Sequence, residues 1–529
     1  MRVRGRVARP VSACVGLLAV AGLLCWLYLR QARTIWVTSD GASNALQAWD
    51  MLHGNLLLHG WWLSDVTFYT TELPEYMAVE MARGLSASVV WISAALTYTL
   101  LVLGTALLAA GRPAGRPPGP RLARALLAAG IVLAPSSVLG TPMLLSSPDH
   151  TGTSVPLLAA LLLIDRAAAS GAARRWRAVA VTTGLLLAWV QVADQVALFA
   201  GAIPLAVVCG ARWARGRDRA DAALAIAAVA SVPAALGALR LIQALGGFYV
   251  SPVTAGGAGL LAPLSQLPHH ARMLAESVLV IFGANYFDQA SATLQAIALA
   301  HLAGLALATA GVLAAVRLLL ARRLDRVAQV LLAAIAVLLT AGLLGTHLAD
   351  LLAAHEVAVI APFGAVLAGR LLGGPLARTR LAPLLGLGLA ASAGFLCYDG
   401  SLASYGAGSQ PVADWLVTHH MGNGVAGYWQ ADAITLASGG RVTVAPVSLS
   451  SGAIYRWEAE AGWYGRTAHY AISPPDPAAG ISPALTRALF GPPARVYRVD
   501  GWVIQVWHRD VLAAVRGASV RLLGQPGRE

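Results

Sequence analysis

Long apolar runs separated by short polar segments occupy the first 397 residues of this 529-residue chain. They fall at about 11–29, 86–110, 125–145, 152–164, 178–209, 221–245, 291–316, 327–346, 355–372 and 382–397. Runs of this kind predict helices that cross a lipid bilayer. Four arginines precede the first run, and GLLCWLYL continues directly beyond the small residues Ala19-Val20-Ala21. That run is therefore expected to be an uncleaved helix with its N-terminus in the cytoplasm.

The run 178–209 has arginine-rich segments at both ends, and both belong on one side of the membrane. The chain is expected to go out and return, turning at its polar stretch Gln191-Val192-Ala193-Asp194-Gln195. Each arm would have about 13–14 residues, roughly 20 Å of helix, against a hydrocarbon core of about 30 Å. Asp194 is thus expected below the outer surface, beside a watery cavity, where irregular backbone is tolerated. The run 152–164 is similarly short and draws Asp149 and His150 inward. Counting both arms, the pattern predicts an all-α polytopic membrane domain of about 11 helices.

Beyond residue 397 the period changes. Alternation in RVTVAPV, ARVYRV and WVIQVWH predicts strands, the last two joined by a tight turn at Asp500-Gly501. PVADWLVTHH and SPALTRALFG read as short helices with Pro near their starts. The expected organisation is a membrane domain, 1–397, whose outer loop 30–85 bears the candidate active site. A small α/β extracytoplasmic domain, 398–529, follows it.

Composition agrees with the pattern. Hydrophobic residues make up 57% and charged residues 12%, against about 25% charged in a soluble chain, which excludes a soluble multidomain enzyme. The net charge of +13 would otherwise suggest nucleic-acid binding, but all 38 basic residues are Arg and their excess lies between apolar runs. The first 380 residues carry a net +12 and the last 149 only +1. Such a distribution orients helices, and no nucleic-acid partner is expected. Twelve of the 16 acids in residues 1–380 fall in the loops opposite the arginines, which marks that side for chemistry. Cys14, Cys25, Cys209 and Cys397 lie in apolar runs without paired spacing and read as small hydrophobes.

Candidate chemistry begins in the first outer loop. Ser43, Asn44, Gln47 and Asp50 recur on one helical face, opposite Leu46, Trp49 and Leu52, as in a helix lying in the membrane interface with its polar side to water. Asp40 stands just beyond the first membrane helix. Together with Asp149 and His150 it is a possible set of ligands for a divalent metal, Mg or Mn, or of groups orienting a sugar. His269, Arg272 and Glu276 share a face of a helix within 268–283, where Arg272 would suit a phosphate. Arg240 lies inside an apolar run, is expected to face protein or cavity, and is a second phosphate candidate. His347, Asp350, His355 and Glu356 cluster at the mouth of two helices, lining the cavity, capping a helix or binding metal. Tyr428, Trp429, Trp457, Trp463 and Tyr464 suit core packing or stacking on glycan rings.

Asp40, the segment Ala48-Trp49-Asp50-Met51-Leu52-His53-Gly54-Asn55 and the turn Phe68-Tyr69-Thr70-Thr71-Glu72-Leu73-Pro74 together resemble the first outer loop of GT-C membrane glycosyltransferases. The branch most alike is that of protein O-mannosyltransferases and lipid A aminoarabinose transferases. The resemblance implies a GT-C-like fold and a polyprenyl-phosphate-linked sugar donor, with a glycan, lipid or protein acceptor in the cell envelope. Asp40 takes the position of the family's catalytic acid, as general base. Gly41 follows Asp40 where many members have a second acid. Glu72 stands before the loop's Pro where several carry a basic residue, so recognition of the lipid phosphate is expected elsewhere. A multi-pass protein of the plasma membrane is implied. A carrier or flippase for a lipid-linked sugar, and a non-catalytic envelope membrane protein, remain open as alternatives.

Overall fold

The computed structural model describes residues 4–111, 118–135, 144–145, 150–168, 173–251, 261–289, 291–345, 351–404, 408–476 and 480–523. Asp149, His347 and Asp350, named above as candidates, lie outside the described residues. The chain forms two compact units. One comprises Met1–Thr34, Ala94–Ala235 and Leu260–Ser404, and the other Ile35–Ser93, Leu236–Gly259 and Tyr405–Glu529.

The chain is mostly helical. Among the described residues nine helices are long and apolar enough to cross a membrane: Cys14–Ala32, Ala87–Ala110, Trp176–Ala193, Leu198–Gly216, Arg219–Ala244, Ala292–Leu320, Arg326–Leu344, Ala353–Leu376 and Ala382–Asp399. Two shorter helices, Pro118–Val132 and Thr151–Ala167, occupy the remaining apolar runs. The run 178–209 does turn at Asp194, between a helix ending at Ala193 and one beginning after Gln195. Its arms are longer than their apolar stretches imply. Arg177 on one side and Arg212 and Arg215 on the other continue the helices past the apolar residues. Spans of 18 and 19 residues result, roughly 27–29 Å at 1.5 Å per residue, so the expectation that neither arm reaches across does not hold.

The four acids that lie among the arginine-rich segments are all paired. Arg370 reaches Asp165 at 3.0 Å and Asp325 at 3.3 Å. Arg326 reaches Asp218 at 3.3 Å and Asp221 at 2.5 Å, and Arg212 adds a second contact to Asp221 at 3.2 Å. Asp165 and Asp221 are buried at 1% exposure. The Arg326 and Arg370 pairs join segments 45 or more residues apart, and at the buried Asp165 and Asp221 burial makes each partner dependent on the other.

The second unit is built on two sheets. In the larger, β3 (Asn423–Gly427) runs parallel to β4 (Thr443–Val447) and to β6 (Tyr470–Ser473). The hairpin of β7 (Arg495–Val499) and β8 (Trp502–Val506) completes the order β4-β3-β6-β8-β7. Asp500 and Gly501 both take positive φ, as the tight hairpin turn requires. The smaller sheet pairs β1 (Trp61–Leu63) with β2 (Tyr249–Val250) in parallel and with β5 (Ala459–Glu460) antiparallel. The helices Gln410–Thr418 and Pro483–Phe490 match the two short helices of the sequence pattern.

The helix Ser39–Leu52 departs from the interfacial reading. Its polar face, Ser43, Asn44 and Gln47, has no exposed surface. Buried polar groups need partners, and this face packs on the helix Tyr428–Ala437 and on Glu458 rather than facing water. Asp50 is half-buried and accepts from Asn55 Nδ2 at 2.6 Å and Trp61 Nε1 at 2.9 Å. It anchors the following loop and does not sit on a water-facing side.

Candidate functional site

Asp40 lies in the first turn of the helix Ser39–Leu52, whose N-cap Thr38 accepts from the Gly41 amide. A carboxylate there is favoured by the unpaired N–H groups and the helix dipole. Asp40 is half-buried, and its Oδ1 accepts a hydrogen bond from the Tyr428 hydroxyl. Tyr428 is the first residue of the helix that follows β3. β3 has β4 on one side and β6 on the other, so the chain reverses direction across the sheet at this strand. The carboxyl end of such a strand is where open α/β sheets place their binding residues. Gly427, between strand and helix, is tightly enclosed: an added Cβ would lie 2.7 Å from Leu449 Cδ2.

Two further acids surround this contact. Register in the smaller sheet pairs Trp62 with Ala459, and one step further sets Glu458 opposite Leu63, the neighbour of Ser64. Glu458 accepts from the Ser64 amide at 3.0 Å and from Ser43 Oγ and Gln47 Nε2 at 2.7 Å each. Its backbone has φ 50°, a strained setting for a non-glycine residue. Burial pushes its carboxyl up to about 6, against the opposing pull of the hydrogen bonds from Ser64 and Ser43. Asp432, one turn beyond Tyr428, has no exposed surface, and neither oxygen has a hydrogen-bond partner. Burial first, then Glu458 and Asp40, hold its carboxyl well above the usual range. Burial and the neighbouring Asp40 and Glu458 likewise raise Tyr428, which stays a neutral hydroxyl donor.

A second cluster lies in the other compact unit. His150, with φ 55° just ahead of the helix Thr151–Ala167, is 2% exposed. Its Nδ1 lies 2.8 Å from Asp194 Oδ2. Asp194 also accepts from the Thr153 hydroxyl and, at 2.7 Å, from the Val196 amide. His150 Nε2 is 3.4 Å from Glu356 Oε2 but outside hydrogen-bonding geometry, so this buried nitrogen has no hydrogen bond. The His355 ring stacks on His150 at 5.3 Å. One donor atom from each of His150, His355 and Glu356 falls within 4.8 Å of the others, which suits a divalent cation. The carboxylate of Asp194 behind Nδ1 is the usual support of a metal-binding imidazole.

The structure thus brings together His150, Asp194, His355 and Glu356 of the sequence candidates. Of the metal set Asp40, Asp149 and His150, only His150 belongs to this cluster. Asp149 is outside the described residues, and Asp40 belongs to the other compact unit. Glu72 stands at the N-cap position of the helix Leu73–Arg83 without a capping side-chain hydrogen bond, and it accepts from Thr71, its own neighbour. Arg272 is 74% exposed and pairs with Glu276 at 2.7 Å, while His269 is exposed beside the His270 ring. Arg240 is exposed near the C-terminal end of Arg219–Ala244, where a long side chain can reach past the apolar layer. Tyr428, Trp463 and Tyr464 are buried and Trp429 is 46% exposed.

Sequence reasoning missed Tyr428 as a partner of Asp40, and it missed Glu458 and Asp432 entirely. Tyr428 had one signal, a polar aromatic directly after a Gly that ends an apolar strand. Glu458 had none.

No family profile matches the sequence, and no curated protein does. Among solved structures the chain is similar to the Archaeoglobus fulgidus oligosaccharyltransferase in complex with zinc and sulfate. Identity is 13%, the alignment covers 86% of this chain and 67% of that one, and the TM-score is 0.49. A likeness of that degree assigns neither a family nor an activity.

Proposed function

We propose that the protein is a membrane glycosyltransferase that moves a sugar from a polyprenyl-phosphate donor to a cell-envelope acceptor on the outer face of the plasma membrane. The observation that carries this reading is the setting of Asp40: a half-buried carboxylate at a helix N-terminus, held by a tyrosine hydroxyl and flanked by two buried acids. The resemblance of residues 38–76 to the first outer loop of GT-C enzymes supports it. Asp40 takes the proton of an acceptor hydroxyl, whose oxygen forms a bond to the anomeric carbon. The bond from that carbon to the phosphate oxygen breaks, and the polyprenyl phosphate leaves with the electron pair.

Negative charge grows on the departing phosphate and needs an offset. Separately, His150, His355 and Glu356 would hold a divalent cation. Two imidazoles and a carboxylate suit Zn²⁺ or Mn²⁺ better than Mg²⁺, which prefers oxygen donors. Arg272 and Arg240, both exposed, remain candidates for binding phosphate. Residues 398–529 are read as extracytoplasmic.

Asp40→Asn tests the proposal. Asn keeps the shape but cannot accept the proton, so transfer from radiolabelled polyprenyl-phosphate sugars should fall about 10²–10⁴-fold, with donor binding retained. Turnover at the wild-type rate would remove Asp40 from the chemistry. Movement of the intact labelled lipid across the membrane, with no label leaving it in either protein, would favour a carrier.

A further inference from the structure

Asp40 and Tyr428 are 388 positions apart in sequence, yet two contacts join them back to back. The Tyr428 hydroxyl donates to Asp40 Oδ1, and Ser39, the residue before Asp40, donates from its own hydroxyl to the Tyr428 carbonyl. We infer that Tyr428 is the positioning residue of Asp40: the C-terminal segment supplies, from the first turn of the helix Tyr428–Ala437, the hydroxyl that orients the carboxylate. This rests on the reading of Asp40 as general base.

Four observations converge on it. Tyr428 is 7% exposed, and its ring is held between Trp429 at 5.1 Å and Tyr455 at 5.2 Å, so the hydroxyl has a fixed origin. It starts a helix at the carboxyl end of a strand with parallel neighbours on both sides, a rigid support. Burial first, then the charges of Asp40 and Glu458, disfavour its ionisation, so it faces Asp40 only as a donor. Finally, holding Oδ1 in one place fixes the plane of the carboxylate, and general-base transfer depends on that geometry. Asp432, with no hydrogen-bond partner of its own, does not compete for the hydroxyl.

The experiment compares full-length wild type, Tyr428→Phe, Asp40→Asn and a protein carrying 3-fluorotyrosine at position 428. Transfer from radiolabelled polyprenyl-phosphate sugars is followed across pH. A donor to the carboxylate favours its anion. Tyr428→Phe should therefore move the acid limb of the pH–rate profile up by about one pH unit, with kcat near neutrality falling several-fold and donor KM within about twofold. Fluorotyrosine, a stronger donor that preserves the ring, should move the limb the other way, and it tests the idea even where the Phe variant folds poorly. A purely structural role predicts no such ordered displacement. Equal loss at every pH, or no displacement with either substitution, would overturn the assignment of Tyr428 while leaving Asp40 in place. Full turnover by Asp40→Asn would remove both.

Discussion

Asp165 and Asp221 are buried as deeply as Asp432 and Glu458, at 1% exposure or less in every case, but their partners differ. Asp165 sits against Arg370, and Asp221 against Arg326 and Arg212. Among the described residues neither Asp432 nor Glu458 has an arginine partner. Glu458 is held by two side chains and an amide, and Asp432 by no hydrogen bond. An acid locked to a guanidinium is matched by an opposite charge and contributes by tying segments together. An acid buried without a cation is pushed toward its neutral form, and such groups collect at functional sites. Burial alone does not separate the two kinds of acid; the identity of the partner does.

Breaking the arginine-bound kind should have the largest effect on stability and none on chemistry. Arg326→Ala would leave Asp221 buried without its closest cation. A loss of about 3–5 kcal/mol is expected, read as a lowered thermal midpoint in detergent, with turnover per folded molecule unchanged. A variant that melts normally but transfers sugar slowly would erase the distinction.

The His150 cluster is intermediate, since its acids support an imidazole. Asp194→Asn should weaken binding of added Zn²⁺ or Mn²⁺ by about 10–100-fold, and His150→Ala should abolish it, both measured by metal content after equilibrium dialysis. Asp40→Asn should leave metal content at the wild-type level. Wild-type metal content in His150→Ala would remove this cluster as the metal site.

The smallest effect is the pH dependence that Glu458 imposes. Its folded carboxyl titrates at about 6 and its ordinary value is 4.5. Between the two, the folded state holds the proton more firmly than the unfolded one. Stability therefore falls as pH rises through that window, by up to about 2 kcal/mol, and is unaffected by this group below it. Glu458→Gln should flatten that part of the thermal midpoint against pH. An unchanged slope would place the titration on another group.

Much of this was legible in one dimension. Apolar runs located the membrane helices, Asp500-Gly501 located its hairpin, and the acid after the first helix pointed to Asp40. These signals are local: hydropathy adds up within a window, and turn chemistry needs two residues. The lengths of the helices around Asp194 were harder to read, because Arg177, Arg212 and Arg215 extend the helix while interrupting the apolar count.

The partners of the acids were decided in three dimensions. The polar face Ser43-Asn44-Gln47 has the same period whether it meets water or protein. It is buried because Glu458, 415 positions away from Ser43, lies against it. Glu458 is there because β5 pairs with β1 in one register, Trp62 opposite Ala459, and a slip of one residue would carry it to the other side of the sheet. Tyr428 reaches Asp40 because β3 ends where its helix begins beside Ser39. Sequence alone determined which segments are apolar and which residue types can carry a proton. Strand register and helix packing, which act between residues hundreds of positions apart, decided which of those acids received an arginine and which received a tyrosine.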